Sequence, residues 1–314
     1  FKKFMYSKVI AAFSSKKLRS LYQKFNHRHG IWILSGLGSV YLLFIIIRIF
    51  PIFETIRLSF YRYHIIKKHT PFIGLKNYER LLRDENFHIA LSNTIQFAFM
   101  AVLCTLIVAL TIAILLRSIE HVSPFFETLF YIPVITSWVP ASVIWKWLYD
   151  PTFGLINYFL SLFGIAKQGW LQEPDLILYA IVMVASWKMI GYYIIVFTVG
   201  LKNIPISYLE AAEIDGASAL QRLRYIILPL LRPIILFATV MSTIQFFNVF
   251  APVYVLTASA QGAPAYDLKV VVSEIYRNGF EYYKMGYAGA ESVVLLVLVM
   301  SMVTLQFTLF RERK

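Results

Sequence analysis

The stretch EAAEIDGASALQRLRYIILP, residues 210–229, decides the fold of this chain, because it is a charged, glycine-punctuated segment set between two strongly apolar ones. Its local grammar is helical. Ser207 with Glu210 reads as an S-x-x-E capping box, Gly216 supplies a left-handed residue that closes a helix, and Ser218 with Gln221 opens another helix in the same way. The reading predicts two short helices with a bend at Gly216. Glu210, Glu213 and Asp215 give the first an acidic face, while Ala211, Ala212 and Ala217 leave little side-chain bulk. Arg222 and Arg224 on the second can pair with those acids or with lipid headgroups. Such a pair, projecting from two spans, can carry force between a soluble partner and a membrane part; the plainer alternative is an ordinary polar turn.

The surroundings of the loop identify the solvent. Of 314 residues, 59% are hydrophobic and 17% aromatic, above the roughly 45–50% apolar content of soluble domains. The chain therefore reads as an integral membrane protein. Apolar segments of about 20 residues cross the hydrocarbon core as helices, and six candidates reach that length: 31–53, 89–116, 124–148, 176–201, 226–257 and 285–310. A net charge of +13 would suggest nucleic acid in a soluble protein, but here its placement speaks of topology. The first 30 residues hold eight Lys or Arg and no acid, so that end is expected in the cytoplasm. With that orientation Lys plus Arg number 15 in cytoplasmic segments and 11 outside, and both the 210–229 loop and the C-terminus lie inside. Trp145, Trp147 and Tyr149 fall where the third span meets the outer interface. The basic stretch does not read as a signal peptide, since its charged region is long and no small-residue cleavage site follows closely. Phe1, Phe4, Met5, Val9, Ala12 and Phe13 fall at helical spacing, which suits a helix lying on an anionic leaflet; a solvated basic tail is the alternative. The organisation is a basic segment, 1–30, followed by one transmembrane domain, 31–314, carrying the cytoplasmic loop 202–229.

Catalysis finds little support. There is no GxxxxGK[ST] phosphate loop, no HExxH and no GxSxG, so the chain cannot hydrolyse ATP by the usual phosphate-loop route. The six histidines all fall outside the expected spans, and the single cysteine, Cys104, sits in an apolar run where packing is its expected role. The polar residues inside the spans are more informative. Ser242, Gln245 and Asn248 recur every three residues along one stripe of the fifth span, which should face protein or a water-filled cavity. With Phe246, Phe247, Phe250 and Tyr254 nearby, the amides suit carbohydrate recognition; interhelical hydrogen bonding is equally consistent. Lys188 lies mid-way along the fourth span, where an ammonium costs roughly 2.5–3.5 kcal/mol, so it should face a cavity or an acid. Ser186, Tyr192 and Tyr193 would help line that cavity, and Glu127 and Glu291 are the candidate acids. Lys146, near a span end, can snorkel outward. Lys188, Lys146 and Arg48 together set three positive groups in the spans against two acids, which suits an anionic sugar such as a uronate oligomer; pairing of Lys188 with an acid explains the same residues without a solute.

The order Glu-Ala-Ala, three residues, Gly, nine residues, Ile-x-Leu-Pro is matched without a gap by Glu210, Ala211, Ala212, Gly216, Ile226, Leu228 and Pro229. This resembles the cytoplasmic loop of importer permeases in the ATP-binding-cassette superfamily. The likeness extends over residues 31–314. FIGLKNYERLL (72–82), DPTFGLIN (150–157), LPLLRP (228–233) and YRNGFEYYKMGYA (276–288) are similar to segments of maltose-type carbohydrate permeases. The resemblance implies an all-α, type I importer permease with about six transmembrane helices, in a bacterial cytoplasmic membrane. It implies a second, homologous permease chain, two ATPase subunits that use ATP and Mg, and an extracytoplasmic protein that delivers a sugar. This chain itself would be non-catalytic and bind no cofactor. The coupling residues would be Glu210, Ala211, Ala212, Asp215, Gly216, Leu228 and Pro229, and the pathway residues Lys188, Tyr192, Ser242, Gln245 and Asn248. A secondary transporter or channel working without ATP is the alternative; it predicts ion-relay carboxylates in mid-span and no need for a docking loop. Residues 1–30 lie outside the likeness.

Overall fold

The structure, a computed structural model, describes residues 27–64, 70–119, 122–257 and 267–310, with side chains from residue 35 onward. The reading of an interfacial helix over residues 1–13 therefore lies outside the described residues. The chain divides into two units, Phe1–Arg57 and Leu58–Lys314. In the first, helix α1 (His27–Phe44) runs through a π-helical turn, Ile45–Ile49, into α2 (Phe50–Ser59). The apolar face of this span is bare, with none of its most hydrophobic window buried inside the chain.

The second unit is α3 (Lys76–Leu81), α4 (Glu85–Arg117), α5 (Ser123–Ile135), α6 (Trp138–Leu148), α7 (Leu155–Leu162), α8 (Pro174–Lys202), α9 (Ile206–Ile214), α10 (Ala219–Arg222), α11 (Leu228–Phe247), α12 (Ala251–Thr257), α13 (Val271–Tyr276) and α14 (Met285–Phe310). Among the described residues the only strand-like pairing is a single antiparallel bridge between Tyr61 and Phe72. At the centre stands α8, with 67% of its apolar window buried, against 28% for α4 and 6% for α14. Lipid offers no hydrophobic drive between helices, so close packing must hold them together. The sequence supplies it: Ala90, Thr94, Ala98, Ala101, Thr105, Ala109 and Ala113 form a buried small-residue stripe down α4, which packs along α8.

Two expected spans differ from straight helices. The third, expected over 124–148, is a pair, α5 and α6, bent by 98°. Pro133 removes a backbone donor in the last turn of α5, Thr136 and Ser137 are extended, and Pro140 lies in the first turn of α6. The fifth, expected over 226–257, stops at Phe247 with Asn248 closing it, and α12 follows as a separate short helix. At its other end it begins early, since Ala219–Phe247 is one continuous helical run through a π-helical turn at Leu223–Ile227. The second short helix of the loop is therefore the leading end of the span itself.

Asparagines tie the loops at one end of the bundle. Asn77 on α3 donates to Ser59 O (2.7 Å) and Tyr61 O (3.1 Å). Asn157 on α7 donates to Gln168 O and accepts from the Trp170 indole, closing the turn that Asp150 caps through Thr152 N and Phe153 N. At that end Lys269 Nζ meets Asn86 Oδ1 (2.7 Å) and Tyr287 OH donates to Asp84. Lys202 and Glu127, 3.8 Å apart, bring the 202–218 loop to the opposite end, beside the start of α5.

Candidate coupling loop and transport pathway

The loop between α8 and α11 is built almost wholly by local hydrogen bonds. Helix α9 ends in a Schellman arrangement: Ala217 N bonds Ala212 O (2.9 Å), Gly216 N bonds Glu213 O (3.0 Å), and Gly216 takes φ +80°. The next helix opens on the expected capping box, with Gln221 N to Ser218 Oγ at 3.3 Å and Ser218 N to Gln221 Oε1 at 2.7 Å. Arg222 reaches back across the bend to Glu213 (2.7 Å). One expectation fails. Ser207 does not cap α9, because Pro205 holds the N-cap position and the helix starts at Ile206, leaving the Ser207 hydroxyl inside the first turn.

Helix α9 buries none of its residues. Glu210, Ala211 and Asp215 are exposed, and Ala212 is half-buried. Ile214, 87% exposed, and Leu220, 73% exposed, present bare apolar surface beside them. An open notch of about 290 Å³ lies under the bend, lined by Asp215, Gly216, Gln221 and Tyr225 among others. Leu228 and Pro229 fall where the loop becomes the span, Leu228 half-buried and Pro229 exposed.

The expected pathway residues scatter. Lys188 is only 2% exposed, and among the described residues no acid holds it. Its ammonium donates to Pro133 O (2.7 Å), Val134 O (3.4 Å) and Thr136 O, above the Trp138 ring. The candidate acids are engaged elsewhere: Glu127 with Lys202 and Ser123, Glu291 with Asn278. Lys146 does not simply snorkel, since its ammonium reaches Val255 O at 3.3 Å. Ser242 is buried and donates to Thr239 O of its own helix. Gln245 bonds across to α8, accepting from Tyr193 OH (3.4 Å) and donating to Met189 Sδ (3.2 Å). Asn248, past the helix end, is exposed and turns its amide onto Ile244 O. The stripe is thus one buried, one bridging and one exposed residue.

Their aromatic neighbours also divide. Phe246 and Phe247 are core, whereas Phe250 stacks on Tyr254 at 5.2 Å and both meet Tyr276. Tyr192 is half-buried, edge-on to Tyr193. Tyr149, expected at the interface, is 1% exposed and bonds Ala180 O; Trp147 remains exposed. Cys104, expected to pack, is exposed on α4. Sequence reasoning missed the polar cluster around α13, where Arg277 pairs with Asp267 and Glu274. Burial pushes the Glu274 carboxyl up, with the Arg277 guanidinium pulling against it. The signal available was Glu274 and Arg277 three apart on one helical face.

Residues 109–312 match the family described as "Binding-protein-dependent transport system inner membrane component". The chain is 31% identical over 269 residues to the arabinooligosaccharides transport system permease protein AraP of Bacillus subtilis (strain 168), covering 84% of each. It is also 31% identical over 288 residues to the trehalose/maltose transport system permease protein MalF of Thermococcus litoralis, covering 91% of this chain and 94% of that one. Among solved structures it superposes, with TM-score 0.79 at 21% identity, on a chain of a bacterial ABC transporter involved in the import of the acidic polysaccharide alginate, covering 93% of this chain and 98% of the other. The helical architecture, the loop after α8 and these likenesses agree: the chain belongs to the binding-protein-dependent transport system inner membrane components, a family of ABC transporter permeases.

Proposed function

We propose that this chain is one of two homologous membrane subunits of an ATP-driven importer, that its solute is a sugar or oligosaccharide, and that α9 is the helix on which an ATPase subunit docks. The carrying observation is that α9 buries nothing in its own chain while both ends of the bend after it are closed by hydrogen bonds. A helix firmly closed at its C-terminal end and burying none of its residues is suited to seat in a groove of another protein, as helix-in-groove recognition requires. Orientation follows from the basic N-terminal segment: the 202–229 loop and both termini face the cytoplasm. A solute-binding protein then meets the opposite end, where α3, the Asp150 turn and α13 gather and an open charged notch of about 540 Å³ is lined by Lys76, Arg80, Arg83 and Asp84 among others. ATP and Mg belong to the ATPase partners, and this chain binds neither.

The solute class rests on relatives named for arabinooligosaccharides and for trehalose and maltose. Lys188 and Lys146 both lie on backbone carbonyls, so of the three cations counted in the spans Arg48, exposed on the first, is the one left to argue for an anionic solute. Tyr192, Gln245 and Asn248 are the polar groups left to meet a sugar, and Ser242 supports them from within the core. A transporter without ATP would give α9 nothing to do. Ala212→Arg tests the docking: the variant should insert and assemble normally, yet lose the ATPase on purification or lose its stimulation by loaded binding protein. Full solute-stimulated hydrolysis and uptake in that variant would overturn the reading.

A further inference from the structure

A helix end leaves its last carbonyls without backbone donors, and inside a membrane no water is at hand to take them. The break between α5 and α6 has this problem twice over, because the extended Thr136 and Ser137 turn the chain away from the last carbonyls of α5 and Pro140, four residues on, has no N–H to offer Thr136 O. The Thr136 hydroxyl answers part of it, donating to Pro133 O at 2.6 Å. Lys188 answers a larger part. Its ammonium has three N–H donors, and its contacts are Pro133 O, Val134 O and Thr136 O, with the Thr136 hydroxyl at 3.5 Å. The same nitrogen stands 5.0 Å from the centroid of Trp138, the first residue of α6. One side chain thus touches the end of one half-span, the link, and the beginning of the other.

The rest of α8 makes this reach possible. Gly191, one turn further on the same face, lies so close to α5 that a Cβ there would overlap the Phe130 carbonyl. Further along, Lys202 meets Glu127 at the start of α5. Helix α8 therefore grips α5 along its length and ends that grip at the break. At 2% exposure, the Lys188 ammonium has neither surface nor spare donors for a solute.

We propose that Lys188 is a positioning residue that fixes the break in the third span, setting the angle of α6 against α5, and that it acts on transport through that angle without touching the solute. The consequence for transport rests on the permease reading; the consequence for the angle does not. The test uses the assembled transporter with Cys104 replaced by Ser and spin labels at the exposed positions Leu129 on α5 and Ile144 on α6. Lys188→Met keeps the length and removes the donors. Leaving buried carbonyls unpaired should depopulate the set angle by about tenfold, so the label distance distribution broadens. Maximal uptake should fall while the half-saturating solute concentration stays the same, and Lys188→Arg should restore part of both. An unchanged distance distribution in Lys188→Met overturns the proposal. So does a rise in half-saturating concentration with maximal rate intact, the mark of a solute contact. If Lys188→Met does not assemble, Gly191→Ala, which lifts α5 off α8 without changing any charge, must broaden the same distance, and a narrow distribution there overturns the proposal. Absence of uptake for every sugar, in wild type as in variants, would count against the importer reading alone, since the label distances still decide the role of Lys188.

Discussion

The loop around Gly216 and the fourth span, α8, adjoin in sequence and are held by opposite means. Every hydrogen bond that shapes the loop, from the Ala217–Ala212 closure to the Ser218–Gln221 box, joins residues no more than nine apart. Helix α8 buries 17 of its 29 residues, and it is hydrogen-bonded to partners 31 to 56 positions away, among them Tyr149, Pro133 and Gln245. An element shaped by its own neighbours keeps its form when passed from one partner surface to another. One shaped by distant partners sets the body those surfaces move. The difference predicts that damage to α8 appears as lost stability, while damage to the loop appears as lost coupling in a protein that is still folded.

The largest effect should come from α8. Phe197, 1% exposed, packs in the core, and Phe197→Ala should cost about 3–5 kcal/mol, read as a large drop in the thermal unfolding temperature of the purified complex. A drop no larger than that of a loop variant would erase the contrast. Next is Gly216, whose φ of +80° costs a residue with a Cβ about 1–2 kcal/mol. Gly216→Val should leave the unfolding temperature close to wild type yet uncouple hydrolysis from uptake. Gly216→Asn, which tolerates the left-handed region, should retain most transport. Equal losses in both variants would mean that bulk at this position matters and backbone conformation does not. The smallest effect belongs to the Glu213–Arg222 pair. With Glu213 70% exposed, a double-mutant cycle with Glu213→Gln and Arg222→Gln should give a coupling of about 0.2–1 kcal/mol. A coupling well above that range would show that the pair is desolvated by a docked partner.

The sequence was most legible where the physics is local. The Gly216 closure and the Ser218 box appear as read, because each depends on residues within one turn. Ser207 shows the limit of the same reasoning: the S-x-x-E spacing is present, but the N-cap falls on Pro205, two residues before the serine, and leaves the hydroxyl without an N-cap to serve. Pro133 and Pro140 were visible within the third apolar run, yet proline is tolerated in membrane helices when neighbours satisfy the freed groups. Whether the run bends or kinks slightly depends on that neighbour, here Lys188, 52 to 55 residues away. The cost of burying Lys188 was readable; its partners were not, since backbone carbonyls carry no residue-type signal. The stripe of Ser242, Gln245 and Asn248 assumed an unbroken helix through residue 257, and the end of α11 at Phe247 carried Asn248 off it.

By itself the sequence determined that the chain is a membrane protein with about six apolar crossings, that a capped, bent helical loop stands between the fourth and fifth, and that this loop belongs to importer permeases. Hydropathy summed over some 20 residues and caps spanning three or four are properties of contiguous chain, so they survive without knowledge of the fold. Only the tertiary structure decided that the third span is two helices at 98°, that Lys188 serves carbonyls and no carboxylate, and that Gln245 faces α8. Each of these is the choice of one polar group among many possible partners. In a medium without water that choice is made by whichever donor or acceptor packing brings within about 3 Å.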